Sequence, residues 1–258
     1  MFDEVEENNL SDKVWEERWA RWHTCSLCEQ RYHGVVHCAL GWACWKTYLG
    51  RQEADETRVW AMTELGNGLS DAKQHEDALS VREAELATKR RVGESEFNML
   101  IVQGNLANTL QLLGRLEQAM CMRKLVYSGH LKLNGDENQD TIREAANYAS
   151  TQLLLKRFKE VKTLVHRTLP VARRVLGESH EITLKMRWTS ARSLYKDPNA
   201  TLDNLREAVT TLEDADRIGR RVLGGAHPLT AVIEAALRNA RAALLAPLHA
   251  RETPSTSA

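Results

Sequence analysis

The 258 residues suffice for one or two ordinary domains or for a short stack of helical hairpins. Lysine plus arginine and aspartate plus glutamate each total 35, so the charge cancels and gives no support to a nucleic-acid partner. Runs that alternate Val, Ile, Thr and aromatic residues are hard to find, and all five prolines lie at Pro170 or later, which speaks against a sheet protein and predicts an all-α chain.

From the amino terminus, Met1-Phe2-Asp3-Glu4-Val5-Glu6-Glu7 is acidic where an export signal is basic and then apolar. The five cysteines are an odd number, so the expectation is a cytoplasmic chain with free thiols or metal ligands and no disulfide framework. A helix is predicted over residues 11–23, with Ser11 and Asp12 as N-cap candidates and Trp15, Trp19 and Trp22 as an i, i+4, i+7 stripe. A second is predicted over residues 27–49, where Cys28, Tyr32, Val35, Ala39, Trp42 and Leu49 follow helical steps. Its apolar stretch, residues 34–45, is about half a bilayer span, so no membrane partner is expected. Residues 1–52 read as an amino-terminal helical cap rich in Trp and Cys, with the stripe packing on Trp42, Trp45 and Trp60. Within them, Cys25, Cys28, His33, His37, Cys38 and Cys44 invite a metal reading. Cys25-Ser26-Leu27-Cys28 has the knuckle spacing of a zinc site, and His33 and His37 would share a helix face. That set is the alternative. The preferred reading uses the cysteines as small apolar residues, lets Gly34 and Gly41 permit close packing, and calls for no cofactor.

Beyond residue 52 the chain repeats itself. Leu133-Asn134-Gly135-Asp136-Glu137-Asn138, Val175-Leu176-Gly177-Glu178-Ser179-His180 and Val222-Leu223-Gly224-Gly225-Ala226-His227 line up without adjustment, and Arg91-Val92-Gly93-Glu94-Ser95-Glu96 is an earlier copy. Gly93, Gly135, Gly177 and Gly224 are spaced 42, 42 and 47, and Thr141, Thr183 and Thr230 stand six residues after three of them. Each interval holds two helices of roughly four to five turns, so each glycine reads as a residue of positive φ past a helix end. Within the units, Gly114-Arg115-Leu116-Glu117-Gln118-Ala119, Lys156-Arg157-Phe158-Lys159-Glu160-Val161 and Lys73-Gln74-His75-Glu76-Asp77-Ala78 mark the tight turn between the two helices. In the fourth unit that turn is swollen at residues 196–200, which accounts for the longer spacing. Small residues recur where paired helices approach: Gly66, Ala107, Ala149 and Ala191 on first helices, with Ala78, Ala119, Val161 and Ala208 on second ones. One hairpin cannot bury such a face, but stacked neighbours can.

These residues resemble tetratricopeptide repeats of the 42-residue kinesin light chain type. Asn105-Leu106-Ala107, Leu110, Gly114-Arg115-Leu116-Glu117-Gln118-Ala119, Asn147-Tyr148-Ala149 and Gly177-Glu178-Ser179-His180 carry the likeness over about residues 55–245. Glu64 and Thr189 depart from it, standing where other units have Asn105 and Asn147, and Pro170 should kink the helix that contains it. The resemblance implies a right-handed superhelical solenoid of stacked antiparallel helix pairs. Its repeats would span 53–93, 94–135, 136–177 and 178–224, with a closing helix over 227–245 and a disordered tail over 246–258. It also implies a concave groove lined by first helices. Carried over by position, the groove residues are Asn105, Asn108 and Gln111, then Arg143, Asn147 and Ser150, then Lys185, Trp188 and Arg192. Asparagine amides both donate to and accept from a peptide backbone. The arginines and lysine would form a basic stripe favouring acidic ligands, and Trp188 would anchor an apolar side chain.

No phosphate-cradling glycine loop, His-Glu-x-x-His sequence or nucleophile elbow is present, so no enzyme is expected. His180 and His227 recur at one loop position, which implies a structural duty at the hairpin junction. The expected function is a protein-interaction scaffold or adaptor that holds a protein or peptide. Two alternatives are a zinc-stabilised adaptor with a Cys/His module over residues 23–44 and a self-assembling structural array.

Overall fold

The computed structural model describes the backbone of residues 12–252 and the side chains of residues 14–245. The N-cap candidate Ser11 and residues 253–258 of the expected tail lie outside these. Among the described residues the chain forms eleven α-helices and no strand, apart from one isolated antiparallel bridge between Thr24 and Arg31. It divides into two compact units, residues 1–115 and 116–258.

The first unit contains α1 (Asp12–Ala20), α2 (Gly34–Tyr48), α3 (Glu56–Asp71), α4 (His75–Arg91) and α5 (Glu96–Leu112). The tryptophan stripe is core, as the spacing implied. Trp15 stacks on Trp19 at 5.7 Å between centroids, Trp60 meets both edge-on, and the cluster closes over Tyr48 and Cys44. Trp45 packs against this cluster, whereas Trp42 is exposed. The helix expected over residues 27–49 begins only at Gly34, because residues 24–31 reverse direction through the Thr24–Arg31 bridge and a left-handed Glu29 (φ 56°). Its phase also differs from the expectation. His37, Cys38, Gly41, Cys44 and Tyr48 face inward, while Val35, Ala39, Trp42 and Leu49 face out. Two glycines set this phase. A Cβ on Gly41 would lie 2.9 Å from the Glu64 carbonyl oxygen, and one on Gly68 would lie 2.7 Å from that of His37, so α2 and α3 touch backbone to backbone. Gly34 permits no close approach; it supplies a left-handed turn (φ 57°) before α2.

The second unit contains α6 (Leu116–Asn134), α7 (Gln139–Leu154), α8 (Phe158–Leu176), α9 (Glu181–Tyr195), α10 (Leu202–Val222) and α11 (Pro228–Glu252). Each helix packs on the next, and α9 also packs on α7 and on α11, as stacked first helices do. Ala149, Val161, Ala191 and Ala208 are wholly buried where the pairs meet. Thr183 and Thr230 are wholly buried too; Thr230 Oγ1 would lie 3.3 Å from a Cβ on Gly219, so the third residue of a first helix seats on the second helix before it. α8 runs unbroken through Pro170. α11 begins at Pro228 and continues to Glu252, so residues 246–252 are helical where a disordered tail was expected.

Local chemistry explains the helix ends. Gly93, Gly135, Gly177 and Gly224 all adopt positive φ, between 72° and 90°. Between paired helices, Lys73, Gly114 and Lys156 occupy one left-handed position, and each following N–H closes the preceding helix. One such bond runs from Gln74 N–H to the Leu69 carbonyl, another from Arg157 N–H to that of Gln152, both 2.9 Å. First helices begin on side-chain caps: Asp55, Ser95 and Asn138 accept backbone N–H bonds, and so do the imidazoles of His180 and His227. The Ile182 N–H donates to His180 Nδ1 and the Leu229 N–H to His227 Nδ1, each at 3.2 Å, which is the junction duty their recurrence implied.

Candidate peptide-binding surfaces

In the first unit, one face of α5 presents Asn105, Asn108 and Gln111, as carried over from the repeat register. The three line a single cleft of about 490 Å³. α3 contributes Asn67, Ser70 and Asp71 to it, α4 contributes Arg82, and the segment before α2 contributes His23, Arg31, Tyr32 and His33. Arg82 is the feature that sequence reading missed. Only 4% exposed, it lies with its stem over Gly66 and donates from one guanidinium nitrogen to Asn67 Oδ1 at 3.0 Å, while Nε and Nη1 have no hydrogen-bond partner. Burial pulls this guanidinium below its ordinary value, against the pull of Glu85, yet arginine stays charged. A buried cation with open N–H groups beside a cleft is costly unless something accepts from it. The signal was available. Glu64, Asn67 and Ser70 stand 41 residues before Asn105, Asn108 and Gln111, so one backward step of the repeat finds most of the opposite wall.

The acidic groups near this cleft are engaged. Asp71 Oδ2 is 2.7 Å from His37 Nδ1 and 4.0 Å from His33 Nδ1, and Glu64 lies 3.4 Å from His23 Nδ1 and 3.7 Å from His37 Nε2. Where later units have asparagine, Glu64 thus lies between two histidines.

In the second unit the remaining groove residues sit on α7 and α9. Here the amides and charges form a network. Arg123 Nη1 donates to Glu144 Oε2 at 3.0 Å, Asn147 Nδ2 to Glu144 Oε1 at 3.2 Å, and Lys185 Nζ to Asn147 Oδ1 at 2.9 Å. Burial, with the nearby Arg123 charge, pulls the Lys185 ammonium below its usual range against Glu144 and Glu181. Arg143 pairs with Asp140 at 2.7 Å, and Ser150 donates to the Ala146 carbonyl at 2.8 Å. Arg192 lies over the Trp188 ring at 4.5 Å, and Trp188 Nε1 donates to the Val232 carbonyl at 3.2 Å, so this tryptophan is held against α11. Arg123, Arg143 and Lys185 thus meet Asp140, Glu144 and Glu181, charge for charge.

Among the described residues no three His, Cys, Asp or Glu side chains are placed to hold a metal ion. His37 is turned to Asp71, Cys38 donates its thiol to Gln74 at 3.5 Å, and Cys44 is wholly buried beneath the tryptophans.

No family model matches the sequence, and no curated protein matches it. Solved structures do. A putative kinesin light chain of Podosopora anserina with nearly identical TPR-like repeats superposes with a TM-score of 0.61 at 20% identity, over 78% of this chain and 92% of that one. This chain has the tetratricopeptide-type repeat fold. BtubC (BKLC) from P. vanneervenii gives a TM-score of 0.62 at 15% identity, over 86% of this chain and 95% of the other. A Rap protein complexed with Competence and Sporulation Factor gives 0.54 at 15% identity, over 82% of this chain and 60% of that one. Among the described residues no helix is long and apolar enough to cross a membrane.

Proposed function

We propose that this protein is an interaction scaffold, a cytoplasmic adaptor without catalytic activity, whose first helices hold an extended, acidic segment of a partner. The observation that carries the reading is the first-unit cleft, where Asn67, Asn105, Asn108 and Gln111 surround the buried guanidinium of Arg82. Amide side chains suit main-chain N–H and C=O groups of any sequence, and a guanidinium with two unpartnered nitrogens suits a carboxylate. Arg192, stacked on Trp188, adds a cation to α9 that favours the same ligand chemistry. The fold relative complexed with Competence and Sporulation Factor is consistent with this use of the fold.

Selection of a random peptide library on the full chain, followed by calorimetric titration of the enriched peptides, tests it. Enriched sequences should carry Asp or Glu. Arg82→Met should weaken binding by at least about tenfold, as loss of a charge-assisted bond implies, and wild-type affinity should fall as salt rises. Enrichment of basic or wholly apolar peptides, or equal binding by Arg82→Met with an intact helical spectrum, would remove the assignment.

A further inference from the structure

The second unit holds a cavity of about 280 Å³ between α6 and α8, with α7 beneath it. None of its residues belongs to the groove set. Leu131, Ile142, Ala145 and Val171 give it apolar walls. Its polar groups differ in how far they are engaged. Thr168 spends its hydroxyl on the Leu164 carbonyl at 2.9 Å, and Arg167 Nη2 donates to the Tyr127 hydroxyl at 2.9 Å. Thr141, only 2% exposed, has a hydroxyl with no hydrogen-bond partner. Asp136 and Arg167, both exposed, bring one charge of each sign to the lining, and neither has an ion pair among the described residues.

One step along the repeat explains the open space. Ala145 and Asp136 correspond to Arg187 and Glu178, 42 residues on, and Arg167 corresponds to Asp214, 47 residues on past the swollen turn. There the long side chain of Arg187 is 4% exposed and carries its guanidinium to Glu178 at 3.5 Å and to Asp214 at 3.6 Å. Ala145 has no such side chain to put in the corresponding place. Asp136 keeps the acid of Glu178, and Arg167 reverses the sign of Asp214.

We propose that this cavity is a binding site for a free α-amino acid with an apolar side chain. The ligand's ammonium meets Asp136, as the Arg187 guanidinium meets Glu178, and its carboxylate meets Arg167. Its side chain lies between the apolar walls, and the Thr141 hydroxyl, able to donate or accept, gains the partner it lacks. A zwitterion satisfies one cation and one anion together, where a simple acid or amine would leave one of them opposed. The size agrees. An apolar cavity of about 150 Å³ accepts benzene, so about 280 Å³ admits leucine or phenylalanine.

Calorimetric titration of the full chain with L-leucine and L-phenylalanine tests the site, with the N-acetyl and amide derivatives of each as probes that lack one charged head. At least one free amino acid should bind saturably with a Kd of about 1 mM or below. Both of its derivatives should bind at least about tenfold more weakly, as loss of a charge-assisted bond implies. Asp136→Asn should erase the preference over the N-acetyl derivative, and Arg167→Met the preference over the amide. Ala145→Arg, which rebuilds the side chain that fills the next junction, should abolish binding. No saturable binding up to about 10 mM, or equal binding of the free amino acids and their derivatives, would overturn the proposal. The wild-type series decides even if Ala145→Arg misfolds.

Discussion

The side chains that set this protein apart from a plain helical stack are buried charges. Arg82, Arg123 and Arg187 are each 4% exposed or less, and Glu85 is wholly enclosed. Glu85 accepts from Thr63 Oγ1 at 2.5 Å through one oxygen, and its other oxygen has no partner. Burial pushes its carboxyl above the usual carboxylate range, against the Thr63 hydroxyl and the charges of Arg82 and Lys89. The sign follows. The unfolded chain releases this proton at the ordinary glutamate value while the folded chain retains it, so the group favours folding at low pH. That advantage is lost as pH rises from the unfolded toward the folded value. Glu85→Gln removes the ionisation and retains an acceptor for Thr63. Its stability relative to wild type should therefore rise with pH from the ordinary glutamate value upward. Urea melts of both proteins across that range check it, and a difference that is flat or falls with pH would contradict it.

At the scale of elements, the contact between α2 and α3 depends on two glycines that leave no room for a methyl group. Gly68→Ala would drive a Cβ into the His37 carbonyl and should cost about 1–3 kcal/mol, as overpacking does. Gly50→Ala meets nothing within 4 Å at an ordinary φ and should stay within about 0.5 kcal/mol of wild type. Chemical denaturation distinguishes the two, and equal stabilities would contradict the packing described. The repeat was legible because its markers act locally: a left-handed residue after a helix shows as glycine, and a capping side chain shows as Ser, Asn, Asp or a recurring His. Of the α2–α3 contact, Gly41 was legible as a close-packing residue, but Gly68 was not, since what it touches is fixed only when the helices dock. Nor was the reversal over residues 24–31. No glycine or proline interrupts that stretch, and Cys28, Tyr32 and Val35 happen to continue the phase of a helix, so a left-handed Glu29 left no mark in the composition. Register alone put Asn105, Asn108 and Gln111 on one helix face, and all three line the same cleft. It could not say that Asn147, Lys185 and Trp188 would be engaged by neighbours, because those partners come from other helices.

The whole molecule joins two observations: a helix pair repeated at about 42 residues, and a first-helix face on which Asn105, Asn108 and Gln111 line one cleft. The fold relatives at 15–20% identity establish the tetratricopeptide-type fold and leave ligand choice to this chain's own side chains. The central claim is that the amides of α5 read a bound peptide backbone. Its most direct test follows the side-chain amide resonances of Asn67, Asn105, Asn108 and Gln111 by nuclear magnetic resonance while an acidic peptide from library selection is added. The account predicts that these resonances shift together and saturate with one affinity. Saturable binding that leaves all four unmoved, with shifts confined to the exposed face of α2 around Val35, Trp42 and Leu49, would contradict it.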